Sequence, residues 1–340
     1  MRKYLLGAKG KFYKANLHVH TTISDGALTP EQAKEVYKKQ GYSILAYTDH
    51  EILVPHNDLT DEGFLAITSY EAHINERIDN SAFPFIRTYH LNFYAKDKDA
   101  TISPCFNVGA IWLKHSLDYV TDEMRKVEYP LVYSTDCIND MIAKANNSGF
   151  LVCYNHPVWS LQSREDYVDL KGLWGVEVYN TECALAGYID TEQPFTDLLR
   201  KGNAILPIAS DDAHSLRSAF GGFTMIEAER LDYSSVLKSM EEGTMYASNG
   251  PLIKELYVEN GNLSIRCSEV KEIFLTTERR WTRVAKGEDI TFAEFDLTEY
   301  LQANKIYAHR ESLYIRLTII DKAGRKAWTR AYFDFEIDKN

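Results

Sequence analysis

Histidine is scarce in this chain, ten in 340 residues, but it falls in a pattern. His18 and His20 close an apolar run that starts at Phe12, and Asp25 follows in the next loop. Thr48-Asp49-His50 closes the run from Ser43 to Tyr47. Glu71 follows the run from Phe64 to Tyr70, and His90 lies between Thr88 and Tyr94. Asn155-His156-Pro157 follows Phe150 to Tyr154, and Ser210-Asp211-Asp212-Ala213-His214 follows Ala204 to Ala209. Converging neutral imidazoles and ionised carboxylates suit a divalent metal ion held without thiolates. In His18-Val19-His20 the strand period of two places both rings on one face. One such histidine would be an ordinary polar strand end; repetition at successive strand ends points to a metal centre.

The runs that carry these residues alternate with helical segments. Thr29-Pro30-Glu31-Gln32 reads as a helix start, with a Thr cap, Pro at the first position and Gln completing a capping box. Gly41 reads as its stop. Further helices are expected near residues 138–146, 195–200 and 233–242. Strands alternating with helices imply βαβ units and an α/β fold, and so many units in this length favour a barrel. Its active face would be the C-terminal ends of the strands. Residues 1–250 are expected to form this barrel, with an aromatic insertion at about 96–130. After Asn249-Gly250-Pro251 short alternating segments take over, with a hairpin signal at Asn260-Gly261. Residues 251–340 are expected to form a small antiparallel, sandwich-like β domain.

Composition bounds the function. Hydrophobic residues make up 45% and charged residues 26%, values of an ordinary globular chain. The net charge of −11 disfavours a nucleic-acid duplex or an anionic membrane as partner. The five cysteines lack CxxC spacing and read as free thiols. No run approaches a membrane span, and Tyr4-Leu5-Leu6 is too short for a signal core, so the cytoplasm is the expected compartment.

The ordered set HxHTxxSDG at His18–Gly26, TDH at Thr48–His50, Glu71, His90, NHP at Asn155–Pro157 and SDDAH at Ser210–His214 resembles the PHP (polymerase and histidinol phosphatase) family over about residues 12–250. The resemblance implies a distorted (β/α)7 TIM-like barrel that hydrolyses phosphoesters with about two or three divalent ions, Zn²⁺, Mn²⁺ or Fe²⁺. Carried over, His18, His20, Glu71 and an aspartate of the last motif would hold one ion. Glu71, His90 and His156 would hold a second, and Asp25, His50 and His214 a third. D-x-H spacing selects Asp212, whereas alignment from Ser210 selects Asp211. The resemblance assigns catalysis to Glu71, Asp212 and His214. Two cations would activate a shared hydroxide for attack on phosphorus in a small phosphorylated metabolite of the nucleotide or sugar phosphate class.

Other residues allow two readings. Asp49 either orients an imidazole or caps a loop. His73 lies either near the site or in an exposed loop. Glu177, Asn180 and Arg217 are candidate substrate contacts, the last as a phosphate clamp, against structural roles for the first two and a surface position for the arginine. Trp159 and Trp174 are candidates for the pocket mouth. His56, His115 and His309 fit no ligand pattern and read as structural. The same metals could also attack a carboxylic ester or amide, and a non-catalytic binding scaffold is the third reading.

Overall fold

The structure is a computed structural model that describes residues 2–8, 10–77, 85–189, 191–306 and 313–337. His309 lies outside them. In chain order the elements are β1 (Lys3–Leu6), β2 (Lys11–Val19), α1 (Pro30–Lys39), β3 (Ile44–Tyr47), β4 (Leu65–Arg77), β5 (Phe85–Ala95), α2 (Thr135–Asn147), β6 (Phe150–Tyr154), α3 (Arg164–Tyr167), β7 (Gly175–Asn180), α4 (Thr181–Leu185), α5 (Glu192–Arg200), β8 (Leu206–Ser210), β9 (Phe223–Ala228), α6 (Tyr233–Glu242) and β10 (Met245–Ser248). Then follow β11 (Ile253–Glu259), β12 (Asn262–Thr277), β13 (Arg283–Asp296), α7 (Thr298–Ile306), β14 (Tyr314–Ile320), β15 (Lys326–Thr329), β16 (Tyr332–Phe333) and α8 (Asp334–Ile337). The first helix starts as its sequence dictates: Thr29 and Gln32 form the capping box and Pro30 opens the helix.

The strands form one mixed sheet in the order β1-β11-β12-β14-β15-β10-β9-β2-β3-β4-β5-β6-β7-β8, with β13 beside β12 and β16 beside β14. This is a mixed α/β protein; among the described residues the strands show no closed barrel, and the (β/α)7 expectation is not confirmed. The pairs β2–β3, β3–β4, β6–β7 and β7–β8 are parallel. However, β4, β5 and β6 pair antiparallel in succession, and β9 lies antiparallel to β2. Apolar runs report strands but not their direction, so a direct β4–β5 pairing is invisible in a pattern that equally fits crossover units. Beyond β8 the chain bends back to β2. Asp212 N–H donates to His18 O at 2.9 Å, His20 N–H donates to Ala213 O at 3.1 Å, and Val19 bridges Ala213 in parallel. Those contacts bring the last motif against the first.

The C-terminal strands continue the same sheet. β15 pairs antiparallel with β10, and the N-terminal β1 pairs with β11. The apolar core follows this continuity. Tyr314, Trp328 and Phe333 pack in the cluster that contains Phe93, Ile138, Val176 and Phe195, while Leu6 and Tyr246 pack with Ile265, Leu275 and Leu317.

Candidate metal centre

Most of the site residues are placed by a strand end or the loop after it, while Glu71 and His90 lie inside strands. His18 and His20 are fully buried, and their Nε2 atoms face each other at 3.2 Å. Glu71 is not at a strand end but inside β4, opposite Asn92 of β5. It nevertheless sits at the focus: its oxygens lie 3.3 Å from His18 Nε2, 3.4 Å from His20 Nε2, 3.2 Å from His50 Nδ1, 3.0 Å from His90 Nδ1 and 3.5 Å from His156 Nε2. Asn155 donates to Glu71 Oε1 at 2.7 Å, a contact between residues 84 apart that nothing local in the sequence announces. Asp212 lies 3.0 Å from His20, 3.3 Å from His18 and 3.5 Å from His156. Asp25 lies 3.5 Å from His20, 3.7 Å from His50 and 3.4 Å from His214.

Four groups of donor atoms are close enough to hold an ion: His20–Asp25–His50–His214, His18–His20–Glu71, His50–Glu71–His90 and His18–His156–Glu177. His90 therefore groups with His50 rather than with His156. The residues fit divalent ions on a structural observation: His20 Nδ1, His50 Nδ1 and Glu71 Oε2 are buried and have no hydrogen-bond partner. Burying unsatisfied polar atoms side by side is costly, and a cation among them removes the cost.

Electrostatics point the same way. Burial opposes the charge on Glu71, yet His90, His18 and His50 hold its carboxyl well below the usual range. Asp212 behaves likewise beside His18, His20 and His156, and so does Asp25 beside His214, His20 and His50. Burial works against protonated His214, but Asp25 and Asp212 raise it to about 9. Burial and His20 push His50 well below its usual value.

The adjacent aspartates do different work. Asp212 has φ +55°, so the chain has left the extended conformation and turned its carboxylate into the site. Asp211 faces away and is corrected as a ligand. It accepts from Asn16 at 2.6 Å, Tyr37 at 2.8 Å, Thr181 at 2.6 Å and the backbone N–H groups of Phe220, Gly221 and Gly222. No oxygen lone pair is left to face a metal, and Gly222 is needed because a Cβ there would sit 2.2 Å from Ser210 O. Positive φ also occurs at Glu51 and His156, so three of the strained non-glycine residues border one site.

Glu177 and Asn180 support the site rather than line its cavity, a second correction. His18 Nδ1–H donates to Glu177 Oε1 at 2.8 Å, Ser210 donates to the same oxygen, and His156 N–H and Asn180 donate to Oε2 at 3.0 Å. This pairing fixes the His18 tautomer and aims Nε2 at the centre. Asn180 also donates to Asp212 at 3.2 Å. Arg217 is exposed on a short 3₁₀ turn and is not among the residues that line the cavity. Asp49 orients no imidazole: it accepts from the backbone and hydroxyls of Thr21 and Ser24 at 2.7–3.1 Å and so braces the loop bearing Asp25. His115 braces that loop from outside, donating to Ser24 O at 2.7 Å.

Above the donors opens a cavity of about 1310 Å³. His73 lines it, with Nδ1 2.9 Å from Glu51. Trp159 lines it as well, but Trp174 is buried and donates to Met240 O at 2.8 Å. Trp112, from the 96–130 segment, was missed; its only sequence signal is an aromatic side chain within that insertion.

No protein-family model matches the chain, and neither does any curated protein. Among solved structures, a two-domain protein from Bacteroides vulgatus ATCC 8482, described as containing a predicted PHP-like metal-dependent phosphoesterase, aligns with 97% of this chain and 98% of its own, at 12% identity and TM-score 0.45. The chain is similar to PHP-like proteins. An amidohydrolase from Chromobacterium violaceum aligns with 59% of this chain and 88% of its own, at 17% identity and TM-score 0.40. A lesion-specific endonuclease from Pyrococcus furiosus aligns with 68% and 56%, at 15% identity and TM-score 0.40. At these scores the likenesses carry no argument about activity, which must come from the site.

Proposed function

We propose that this chain is a metal-dependent phosphoesterase acting on a small phosphorylated molecule, with about two or three divalent ions drawn from Zn²⁺, Mn²⁺ and Fe²⁺. The observation that carries the reading is the buried Glu71 carboxylate, ringed by imidazoles and with one oxygen that accepts no hydrogen bond. Bound ions would supply a water of lowered pKa and neutralise charge growing on a phosphoryl group. Glu71 lies where it would join two of the donor groups, and Asp212 would balance the charge on the His18 and His20 side. Asp25 and His214, the more open members, would hold the ion nearest the mouth. Glu177 holds His18 in register, and Asn155 orients Glu71. The β2–β8 portion, bent until residue 213 meets residue 19, is in this reading a distorted barrel with the site at one rim. Residues 1–250 would carry the catalysis, with residues 96–130 over the mouth and residues 251–340 as a β unit beside them.

No helix among the described residues is long and apolar enough to cross a membrane. We place the protein in the cytoplasm, with no membrane and no nucleic-acid duplex as partner. The decisive assay gives the purified protein Mn²⁺ or Zn²⁺ and a panel of phosphomonoesters, phosphodiesters and carboxyl esters. Phosphate ester hydrolysis that chelator abolishes is expected. Cleavage of carboxyl esters alone would transfer the site to acyl chemistry, and inactivity on all would leave a binding scaffold.

A further inference from the structure

Two indoles stand exposed over the proposed metal centre. Trp112 is 51% and Trp159 40% exposed, a cost in water for such large apolar rings. Both are held by the site itself. Trp112 packs 4.8 Å from His50 and 4.8 Å from His73, while Trp159 packs 5.0 Å from His156 and 5.7 Å from His90. The Trp159 contacts are steeply tilted, as is the His73 contact of Trp112, so these rings meet edge to face and none is stacked flat on an indole. The cavity between is larger than the roughly 300–1,000 Å³ of an ordinary small-ligand site. Its outer wall offers Leu131, Val132 and Tyr133, and among the described lining residues Arg77 is the single lysine or arginine, against Glu76 and Glu182. Such a wall has little to hold a second anionic group and much to hold an apolar ring.

We propose that Trp112 and Trp159 set substrate specificity by stacking a planar aromatic or heteroaromatic ring on the alcohol side of the phosphoester. The proposal rests on the phosphoesterase reading and adds the substrate class to it. Stacking on an aromatic side chain is worth about a factor of ten or more in affinity. Leaving-group acidity must be held constant, so the test compares naphthylethyl phosphate with ethyl phosphate, and the two corresponding non-hydrolysable phosphonates. The full-length, Mn²⁺-loaded protein is titrated calorimetrically with each phosphonate, and phosphate release is followed for each ester.

The wild type is expected to prefer the ring-bearing phosphonate. That preference, the ratio of the two Kd values, should fall about tenfold in Trp112→Ala and in Trp159→Ala. Trp112→Phe and Trp159→Phe, which keep a flat face, should recover most of it. Equal binding of the two phosphonates, or an unchanged ratio in both alanine variants, overturns the proposal while phosphate release from both esters leaves the phosphoesterase reading standing. Absence of both phosphonate binding and phosphate release overturns that reading, and the proposal with it.

Discussion

Asp211 and Asp212 are neighbours in sequence with opposite surroundings, so they give the sharpest pair of substitutions. Asp212→Asn removes the charge that faces His18, His20 and His156, and is expected to lose metal and most of kcat with a stable fold. Asp211→Asn puts an NH₂ where backbone N–H groups donate, and is expected to cost about 3 kcal/mol of stability. Metal content and denaturant midpoint, measured for both variants, give opposite rankings if the assignment holds. Glu177→Gln tests the support of His18 and should weaken metal binding about 10- to 100-fold. Titration adds a further check. Without metal, His214 is raised from 6.5 to about 9, so its pairing with Asp25 stabilises the fold fully below pH 6.5 and is lost as pH rises through about 9. Asp25 is depressed below 3.8, so its contribution is present above that pH and lost as pH falls through its lowered value. A metal bound at His214 would therefore be expected to displace its proton at neutral pH. Calorimetry in buffers of different ionisation enthalpy should show proton release at pH 7 that falls to about half near pH 9 and fades above it, with affinity rising until then.

Among the elements, the loop after β2 has the most to do for its length. Asp49 receives the Thr21 and Ser24 backbone and hydroxyl groups, and Gly26 allows a close return, since a Cβ there would lie 2.3 Å from His20 O. Asp49→Ala is expected to loosen this loop and cost the ion that Asp25, His50 and His214 would hold in the proposed function, while the Glu71 groups would keep theirs. Elemental analysis showing about one ion fewer per chain checks it. Much of this level was legible in the sequence. The His18–Val19–His20 alternation and the capping box at Thr29 speak through local periodicity and hydrogen bonding. Glu71 was found by its type but misplaced, because β4 runs on through Arg77 and only the β5 partner reveals that. The choice between the aspartates depended on a positive φ at Asp212, which residue type does not announce.

For the whole molecule, the long-range pairings were the least legible part. Nothing local links Lys3–Leu6 to residues 256–258, or Met245–Ser248 to residues 327–329, because pairing partners are set by where the chain returns. The consequence is a stability prediction. A chain ended at residue 250 would lose Trp328, Phe333 and Tyr314 from the larger core and leave β10 with a free edge. It should be markedly less soluble, and Trp328→Ala alone in the full chain should cost about 3–5 kcal/mol. Soluble yield and thermal midpoint read both. The central claim concerns the metal centre on Glu71, and the most direct measurement is elemental analysis of protein purified without chelator, wild type beside Glu71→Gln. The account predicts about two or three transition-metal ions per wild-type chain and a loss from more than one donor group in the variant. Fewer than about one ion per wild-type chain, or unchanged content in Glu71→Gln, would contradict it.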